Sequence, residues 1–288
     1  MADANVEHFF RSHDGLKLFY RDFAAHAGAD RSAVPAICLP GLTRNSRDFD
    51  ELAAHLARKR RVLAPDLRGR GFSAHDPEWR NYHPGTYVKD VWTLLDSLAI
   101  DRVVVIGTSL GALMAMLMAH ENAERLVGVV MNDVGPEIAP EGLARIMAYA
   151  GLLPAVSNWD EAVAQTREIY GQAWPGLVDA EWHRMARRAY RENAEGVPVQ
   201  DIDRNIGRAI REVGPQTGDP WQLFDALRDV PTLLLHGAIS DILTQPIIDK
   251  MTARNPGLRV VHVPDRGHVP ILNENVSVAA IDRFLGEL

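Results

Sequence analysis

The stretch Val103–Ala112, which reads VVVIGTSLGA, decides the fold of this chain. Its β-branched first half predicts a short buried strand, and the apolar run Ser109–His120 predicts a helix. Between them stands the pattern G-x-S-x-G, in which Gly107 and Gly111 flank Ser109. Small flanking residues allow a sharp strand-to-helix turn that exposes a nucleophile, and the amides at the helix N-terminus stabilise developing negative charge. The pattern therefore predicts a nucleophilic serine at the edge of a sheet.

Short apolar strands alternate with helices along most of the remaining chain. The predicted strands of this alternation are Val34–Leu39, Arg61–Pro65, Val103–Ile106, Leu126–Met131, Thr232–Leu235 and Arg259–Val263. An opening hairpin, Val6–Ser12 with Leu16–Phe23, adds two more. Such alternation is typical of a mainly parallel sheet covered on both faces. We therefore expect an α/β fold with a mostly parallel central sheet of about eight strands and helices on both faces.

One region interrupts the alternation. Between Gly135 and Arg228 the sequence shows helical stretches and Pro/Gly breaks without a convincing strand. Four of the six tryptophans lie there: Trp159, Trp174, Trp182 and Trp221. An inserted α-helical cap over the carboxyl edge of the sheet would shape a pocket, whereas ordinary packing helices are the alternative. The predicted division is a first core part at 1–134, a helical cap at 135–228 and a second core part at 229–288.

A nucleophilic serine needs a general base, and the base needs an orienting carboxylate. His268 is the candidate base, because it stands in a polar loop between a predicted strand and the last helix. Two acids follow predicted strands and would emerge at the carboxyl edge of the sheet: Asp133 and Asp241. The residues alone leave both acids open.

Composition excludes several classes of protein. The chain has 288 residues, a formal charge of −7 and 47% hydrophobic residues, a composition typical of soluble globular proteins. It lacks the concentrated basic face that binding to nucleic acid or to an anionic membrane requires. The single cysteine, Cys38, can form no internal disulfide, which fits a reducing compartment. With no signal-peptide pattern at the N-terminus, we expect a cytoplasmic protein. No cluster has metal-ligand spacing, so no metal site is expected.

Five segments resemble the α/β-hydrolase superfamily, and the resemblance covers nearly the whole chain. In order, they are CLPGLTRNS, APDLRGRGFS, VIGTSLGA, LLHGAISDIL and DRGHVPILNE. The order Ser…Asp…His is that of the superfamily. The resemblance implies Ser109 as nucleophile, Asp241 as acid and His268 as base. Some members place the acid after the sixth strand instead, where Asp133 stands, so Asp133 is the alternative acid and otherwise a residue of the pocket or its surroundings.

The same resemblance implies an oxyanion hole made of two backbone amides, those of Leu110 and Leu42. The second belongs to the loop after the third strand, which reads Pro40-Gly41-Leu42 where family members usually have His-Gly-x. Because the donor is backbone, proline in place of histidine leaves the expected hole intact.

Four side chains are candidates to line the substrate pocket: Thr43, Arg44, Trp159 and Trp182. The first two follow the oxyanion loop, where an ordinary surface position is an equally open interpretation. The two tryptophans belong to the predicted cap.

The expected function is hydrolysis of a small, largely apolar carboxylic ester or lactone through a Ser-His-Asp triad, without a cofactor. A dehalogenase or an epoxide hydrolase is disfavoured, because those superfamily members have an aspartate where Ser109 stands. Carbon–carbon bond hydrolysis and a cofactor-free peroxidase or lyase reaction are alternatives on the same fold. A ligand-binding, receptor-like member with a vestigial triad is a further alternative. The sequence makes no prediction of oligomeric state.

Overall fold

The computed structural model describes residues 5–26, 33–213 and 219–288, and an eight-stranded sheet lies at its centre. The strands are β1 Val6–Arg11, β2 Lys17–Phe23, β3 Ala36–Leu39, β4 Val62–Asp66, β5 Val103–Thr108, β6 Leu126–Asn132, β7 Tyr190–Glu192, β8 Pro198–Gln200, β9 Thr232–Gly237 and β10 Arg259–Val263. The central sheet has the order β1-β2-β4-β3-β5-β6-β9-β10, while β7 and β8 form a separate pair. Only β1 with β2 and β2 with β4 are antiparallel in the central sheet. The predicted fold class is confirmed.

The helices lie between the strands, as the alternation predicts. Within the described residues they are α1 Asp50–Leu56, α2 Pro84–Ser97, α3 Leu110–Asn122, α4 Pro140–Tyr149, α5 Trp159–Tyr170, α6 Asp179–Ala189, α7 Asn205–Val213, α8 Pro220–Asp225, α9 Gln245–Arg254 and α10 Asn275–Gly286. None of the helices in these residues is long and apolar enough to cross a lipid bilayer.

Hydrophobic residues fill both faces of the sheet. Ile37 and Val105 pack on one face in the cluster that includes α2 and α3. Their neighbours in sequence, Cys38 and Val104, pack on the other face with residues of α1 and α10. This two-residue period is that of strands buried on both sides. Burial raises the pKa of the Cys38 thiol, which behaves as a structural residue.

The parallel order brings four strand ends to one edge of the sheet. The last residue pairs of the ladder join Thr108 to Asn132 and Asn132 to Leu235. Gly237 is paired with Val263 in the next ladder. The loops that follow β5, β6, β9 and β10 therefore start side by side, so that residues distant in the sequence meet there.

The segment 135–228 departs from prediction in one respect. It contains the short antiparallel hairpin of β7 and β8, so the expectation that it holds no strand is wrong. Three-residue strands are too short to show an alternating pattern, and the hairpin therefore escapes a periodicity analysis. Near its C-terminal end the segment joins the main core, because Phe224 of α8 is fully buried in the hydrophobic cluster that contains residues of α3.

Candidate active site

A strained turn presents Ser109 between β5 and α3. Ser109 has φ of 50° and ψ of −110°, a conformation that residues with a side chain rarely adopt. A Cβ atom on Gly107 would lie 2.3 Å from the carbonyl carbon of Gly111, and one on Gly111 would lie 2.1 Å from the carbonyl oxygen of Leu39. Strand and helix thus approach so closely that only glycine fits on either side of the serine. The expected exposure of a nucleophile at this turn has a steric basis.

Three side chains form a continuous hydrogen-bonded chain at this edge. Ser109 Oγ lies 2.9 Å from Nε2 of His268, and Nδ1 of the same ring lies 2.9 Å from Oδ2 of Asp133. His268 is only 6% exposed and Asp133 is fully buried. A serine hydroxyl, an imidazole and a buried carboxylate in this order can pass a proton from the serine to the histidine while the carboxylate orients the ring.

Asp241, the acid expected at this position, is not the hydrogen-bond partner of His268 Nδ1. Its carboxylate instead accepts two hydrogen bonds from Arg145, at 2.6 Å from Nε and 2.8 Å from Nη2. This guanidinium lowers the pKa of Asp241. The expectation that Asp241 is paired with the histidine is therefore corrected: Asp133, the alternative acid, occupies that position.

The loop after β9 supports Asp133 rather than supplying the acid itself. The amide of Gly237 donates to Oδ1 of Asp133 at 2.8 Å, and the hydroxyl of Ser240 donates to Oδ2 at 2.7 Å. Asp133 has φ of 57°, so the chain turns sharply where β6 ends. Asp241 immediately follows Ser240 but is directed to Arg145 instead. A fully buried carboxylate with these donors is satisfied as an anion.

Asn132 is a site residue that the sequence analysis missed. Its side-chain amide donates to the carbonyl of Pro270 at 2.9 Å and to Thr108 Oγ1 at 3.2 Å, and its backbone carbonyl accepts from the backbone amide of Ser109 at 3.0 Å. It therefore connects the ends of the two central strands to the loop of His268. A polar residue at the end of an apolar strand, beside Asp133, was the available signal.

The loop after β3 lies beside the serine, as the resemblance implies. Gly41, Leu42 and Ser109 line one cavity together. Arg70 Nε holds the Leu42 carbonyl at 2.7 Å, which leaves the peptide of this residue in a defined orientation. Leu110 is the first residue of α3, where amides have no partner within the helix. The two expected oxyanion donors thus belong to the loop and the helix that border the serine.

Residues of the segment 135–228 complete the wall of this cavity. They are Ile146, Tyr149, Tyr170 and Trp174. Thr43 and Arg44, two of the candidate pocket residues, also line it. The indole of Trp174 donates to the carbonyl of Val269 at 2.7 Å, next to His268. The cavity is therefore bounded by both apolar and polar groups, and most of its lining surface is apolar.

The two tryptophans proposed for the pocket lie elsewhere. Trp159 donates to Glu192 at 2.7 Å in an exposed contact, and the guanidinium of Arg187 lies 3.9 Å from its ring centre. Trp182 is buried in a small core within the segment and packs against Trp174, with ring centres 5.9 Å apart. The expectation that Trp159 and Trp182 line the pocket is corrected to Tyr149, Tyr170 and Trp174.

One cluster of potential metal ligands exists in the described residues, and it is remote in sequence from the serine. The ligand atoms of His13, Asp14 and Asp90 lie within 4.8 Å of one another. Arg68 already donates to both carboxylates, at 2.9 Å to Asp14 and 2.8 Å to Asp90. Its guanidinium is the main cause that lowers the pKa of Asp14. The cluster therefore has a cation of its own, the buried Arg68, and forms a structural ion network.

The chain is similar to known proteins over most of its length. Residues 36–281 match the model of the alpha/beta hydrolase family. A 3-hydroxybutyrate-oligomer hydrolase of Cupriavidus necator is 32% identical over 257 residues, which span 86% of this chain and 87% of that protein. A 2-(acetamidomethylene)succinate hydrolase of Mesorhizobium japonicum is 26% identical over 248 residues, 85% of each chain.

Solved structures agree with the sequence relatives. The crystal structure of an alpha/beta hydrolase from Novosphingobium aromaticivorans superposes with a TM-score of 0.92, at 40% identity and with 100% of both chains covered. The match to the family model extends from β3 to the closing helix and includes Ser109, Asp133 and His268. This chain therefore belongs to the alpha/beta hydrolase family.

Proposed function

We propose that the chain is a serine hydrolase that cleaves a small-molecule carboxylic ester or lactone through a triad of Ser109, His268 and Asp133. One observation carries the proposal: the hydrogen bonds Ser109–His268 and His268–Asp133, both 2.9 Å, in the wall of a cavity. The serine stands on a strained turn, and the carboxylate is satisfied by fixed donors. These are the features that activate a serine for acyl transfer.

The mechanism follows from the positions of these atoms. Ser109 Oγ attacks the ester carbonyl while His268 Nε2 takes its proton. The developing oxyanion is held by the amides of Leu42 and Leu110, and Asp133 stabilises the imidazolium through Nδ1–H. His268 then protonates the leaving alkoxide, which gives an alcohol and an acyl-serine. A water molecule, deprotonated by His268, attacks the acyl-serine, and the acid departs as the serine regains its proton.

The relatives support hydrolysis as the reaction class. The name of the Cupriavidus necator protein denotes hydrolysis of hydroxybutyrate oligomers, which are oxygen esters. We infer that residues 135–228 act as a cap, because Tyr149, Tyr170 and Trp174 border the same cavity as Ser109. Residues of such a cap determine which substrate fits.

Replacement of Ser109 by alanine tests the proposal. With 4-nitrophenyl butyrate as substrate, we expect kcat of Ser109→Ala to fall by roughly 10⁵- to 10⁶-fold, as it does when a triad serine is removed. A fluorophosphonate probe should label the native chain at Ser109, as located by peptide mass spectrometry. Ser157→Ala, on the exposed surface of the cap, is the matched control and should retain full activity.

The possible results separate the alternatives. Undiminished ester hydrolysis by a folded Ser109→Ala variant would overturn the proposal. Labelling of Ser109 without turnover of any ester or lactone would favour a peroxidase, lyase or carbon–carbon hydrolase reaction on the same triad. A serine that does not react with the probe would favour the receptor-like alternative.

A further inference from the structure

Arg44 is an incompletely satisfied buried cation in the cavity of Ser109. Its side chain is buried, with the residue only 7% exposed. Two of its nitrogens bind the carboxylate of Asp48, Nε at 2.7 Å and Nη2 at 2.5 Å. The third nitrogen, Nη1, is buried and has no hydrogen-bond partner among the described residues. Buried donors without a partner are rare in folded proteins, so this one calls for a function.

Arg44 lies in the wall of the cavity that also contains the reacting side chains. Arg44 follows the oxyanion loop and lines the same cavity as Ser109 and His268. A Cβ built on Gly41 would lie 3.6 Å from Cγ of Arg44 and 3.9 Å from Cβ of Ser109, so both side chains start beside the same glycine. Arg44 also lines a second cavity, with Tyr149 and Tyr170, whose wall does not include Ser109. A substrate chain that extends from the scissile carbonyl would pass the guanidinium.

The surrounding charges indicate which acceptor suits Arg44. Burial lowers the pKa of Arg44, but the charge and hydrogen bonds of Asp48 outweigh this effect and raise the pKa overall. The guanidinium also lies 5.7 Å from the ring centre of Tyr170, and the hydroxyl of Tyr170 further raises the pKa of Arg44. The neighbouring Arg47 binds Asp201 through Nη2. Each of these cations is thus already paired with a carboxylate. A second anion beside Arg44 would be buried without a countercharge, whereas a neutral carbonyl oxygen needs none.

We propose that Arg44 Nη1 binds a second, uncharged carbonyl oxygen in the acyl part of the substrate, so that the preferred substrates are esters whose acyl chain carries an additional carbonyl group. The inference rests on the proposed ester hydrolase function and defines the substrate class of that site. Arg44 positions the acyl chain, because its hydrogen bond fixes the distance between the second carbonyl and the scissile one. An apolar acyl chain of equal size leaves the buried donor unpaired, and a site built for a hydrogen bond rejects such an analogue.

Three substrates of matched shape provide the first test. The 4-nitrophenyl esters of 4-oxopentanoate, 4-methylpentanoate and succinate (the monoester) share one leaving group and differ at a single terminal group: a ketone, a branched alkyl group and a carboxylate. For the native chain we expect kcat/KM to be roughly 10- to 100-fold higher for the oxo ester than for the alkyl ester, the effect of a hydrogen bond to a charged donor. The pair 5-oxohexanoate and 5-methylhexanoate extends the comparison by one methylene group.

Variants of Arg44 attribute the preference to this residue. In Arg44→Met the ratio of the two kcat/KM values should fall to about one. The double variant Arg44→Met/Asp48→Asn should give the same ratio without leaving an unpaired carboxylate, which protects the test against misfolding of the single variant. Arg61→Met is the matched control, because Arg61 binds Asp22 through the same two nitrogens, at 3.0 Å and 2.6 Å, far from the cavity. It should keep the native ratio.

Binding to Ser109→Ala separates this inference from the catalytic proposal. Titration calorimetry with methyl 4-oxopentanoate and methyl 4-methylpentanoate measures the preference without turnover, and the oxo ester should bind more tightly only while Arg44 is present. Equal kcat/KM values for the two neutral esters in the native chain would overturn the inference while ester hydrolysis itself stands. A preference for the oxo ester that persists in both Arg44 variants would also overturn the inference. A succinate monoester preferred over the oxo ester would refute the selection of a neutral acceptor.

Discussion

At the scale of single residues, the site depends on which carboxylate meets His268. Asp133 is fully buried and lies 2.9 Å from Nδ1, whereas Asp241 is bound to Arg145. The acid holds the imidazole in the tautomer that presents Nε2 to Ser109. A neutral amide in its place can still hydrogen-bond but favours the wrong tautomer.

We therefore expect Asp133→Asn to lower kcat for an aryl ester by roughly 10⁴-fold, the loss seen when a triad aspartate becomes asparagine. Asp241→Asn is the matched control, and its kcat should stay within about tenfold of the native value, since it alters only the ion pair with Arg145. Steady-state kinetics of both variants, with circular dichroism to verify folding, provides the measurement. A larger loss in Asp241→Asn than in Asp133→Asn would show that the resting hydrogen bonds do not identify the catalytic acid.

The sequence could identify two acids but could not choose between them. Both follow a strand at the same edge of the sheet, and spacing carries no information on where a side chain points. The choice depends on the φ of 57° at Asp133 and on the donors Gly237 and Ser240, which lie more than a hundred positions later in the chain. Ser109 and His268 needed no such choice, because each is marked by its own local pattern.

At the scale of elements, the strands of the core could be predicted because each is a short apolar run. Predicted and observed bounds agree to within a few residues, and Arg259–Val263 is reproduced without change. Elements of the segment 135–228 were harder to predict. Their side chains pack against one another and against loops rather than against a regular sheet, so a pattern of buried tryptophans does not tell pocket from interior. Trp174 and Trp182 are adjacent, yet only Trp174 lines the cavity.

Trp174 joins α5 and its following turn to the loop of His268. Its indole donates to the carbonyl of Val269, and the carbonyl of Ala173 accepts from the amide of Gly267 at 2.7 Å. Trp174→Phe should lower the free energy of unfolding by about 1–3 kcal/mol, the cost of leaving a partly buried carbonyl without its donor. It should also lower kcat, because the loop that carries His268 loses a support. Chemical denaturation and ester kinetics measure the two effects.

Trp159→Phe is the control for this prediction. The indole of Trp159 makes a hydrogen bond of the same length to Glu192, but in an exposed position. Its loss should change the free energy of unfolding by no more than about 0.5 kcal/mol. Equal effects of the two substitutions on stability and kcat would mean that the contact with Val269 does not support the histidine loop.

At the scale of the whole molecule, the site is a product of the parallel sheet. Ser109, Asp133 and His268 come from three loops separated by about 25 and 135 positions, and only the adjacency of β5, β6, β9 and β10 brings them together. The same strand ends bury other polar groups. His236, in β9, is 6% exposed, donates through Nε2 to the carbonyl of Leu243 at 2.9 Å and faces Nδ1 of His262 at 2.8 Å.

Protonation of His236 should couple the stability of the whole fold to pH. Burial is the main cause that lowers its pKa from 6.5, although the charge of Asp133 and the bond to Leu243 act in the opposite direction, and His262 adds to the lowering. Because the folded state binds this proton less readily than the unfolded state, stability is fully present above pH 6.5 and is lost as pH falls through the unfolded value toward the lower folded one. Acidification from pH 7.5 to pH 5 should therefore reduce the free energy of unfolding.

Comparison with His236→Gln isolates this contribution, since glutamine can keep the donor to Leu243 but cannot be protonated. Urea unfolding at several pH values should show the native chain losing stability more steeply than the variant between pH 7.5 and pH 5, so that the difference between the two free energies of unfolding narrows. His120→Gln, at an exposed position of α3, should follow the native curve throughout. If His236→Gln shows the same slope as the native chain, the acid sensitivity of the fold has its origin in other groups, and β9 is held by packing that does not depend on the charge of this ring.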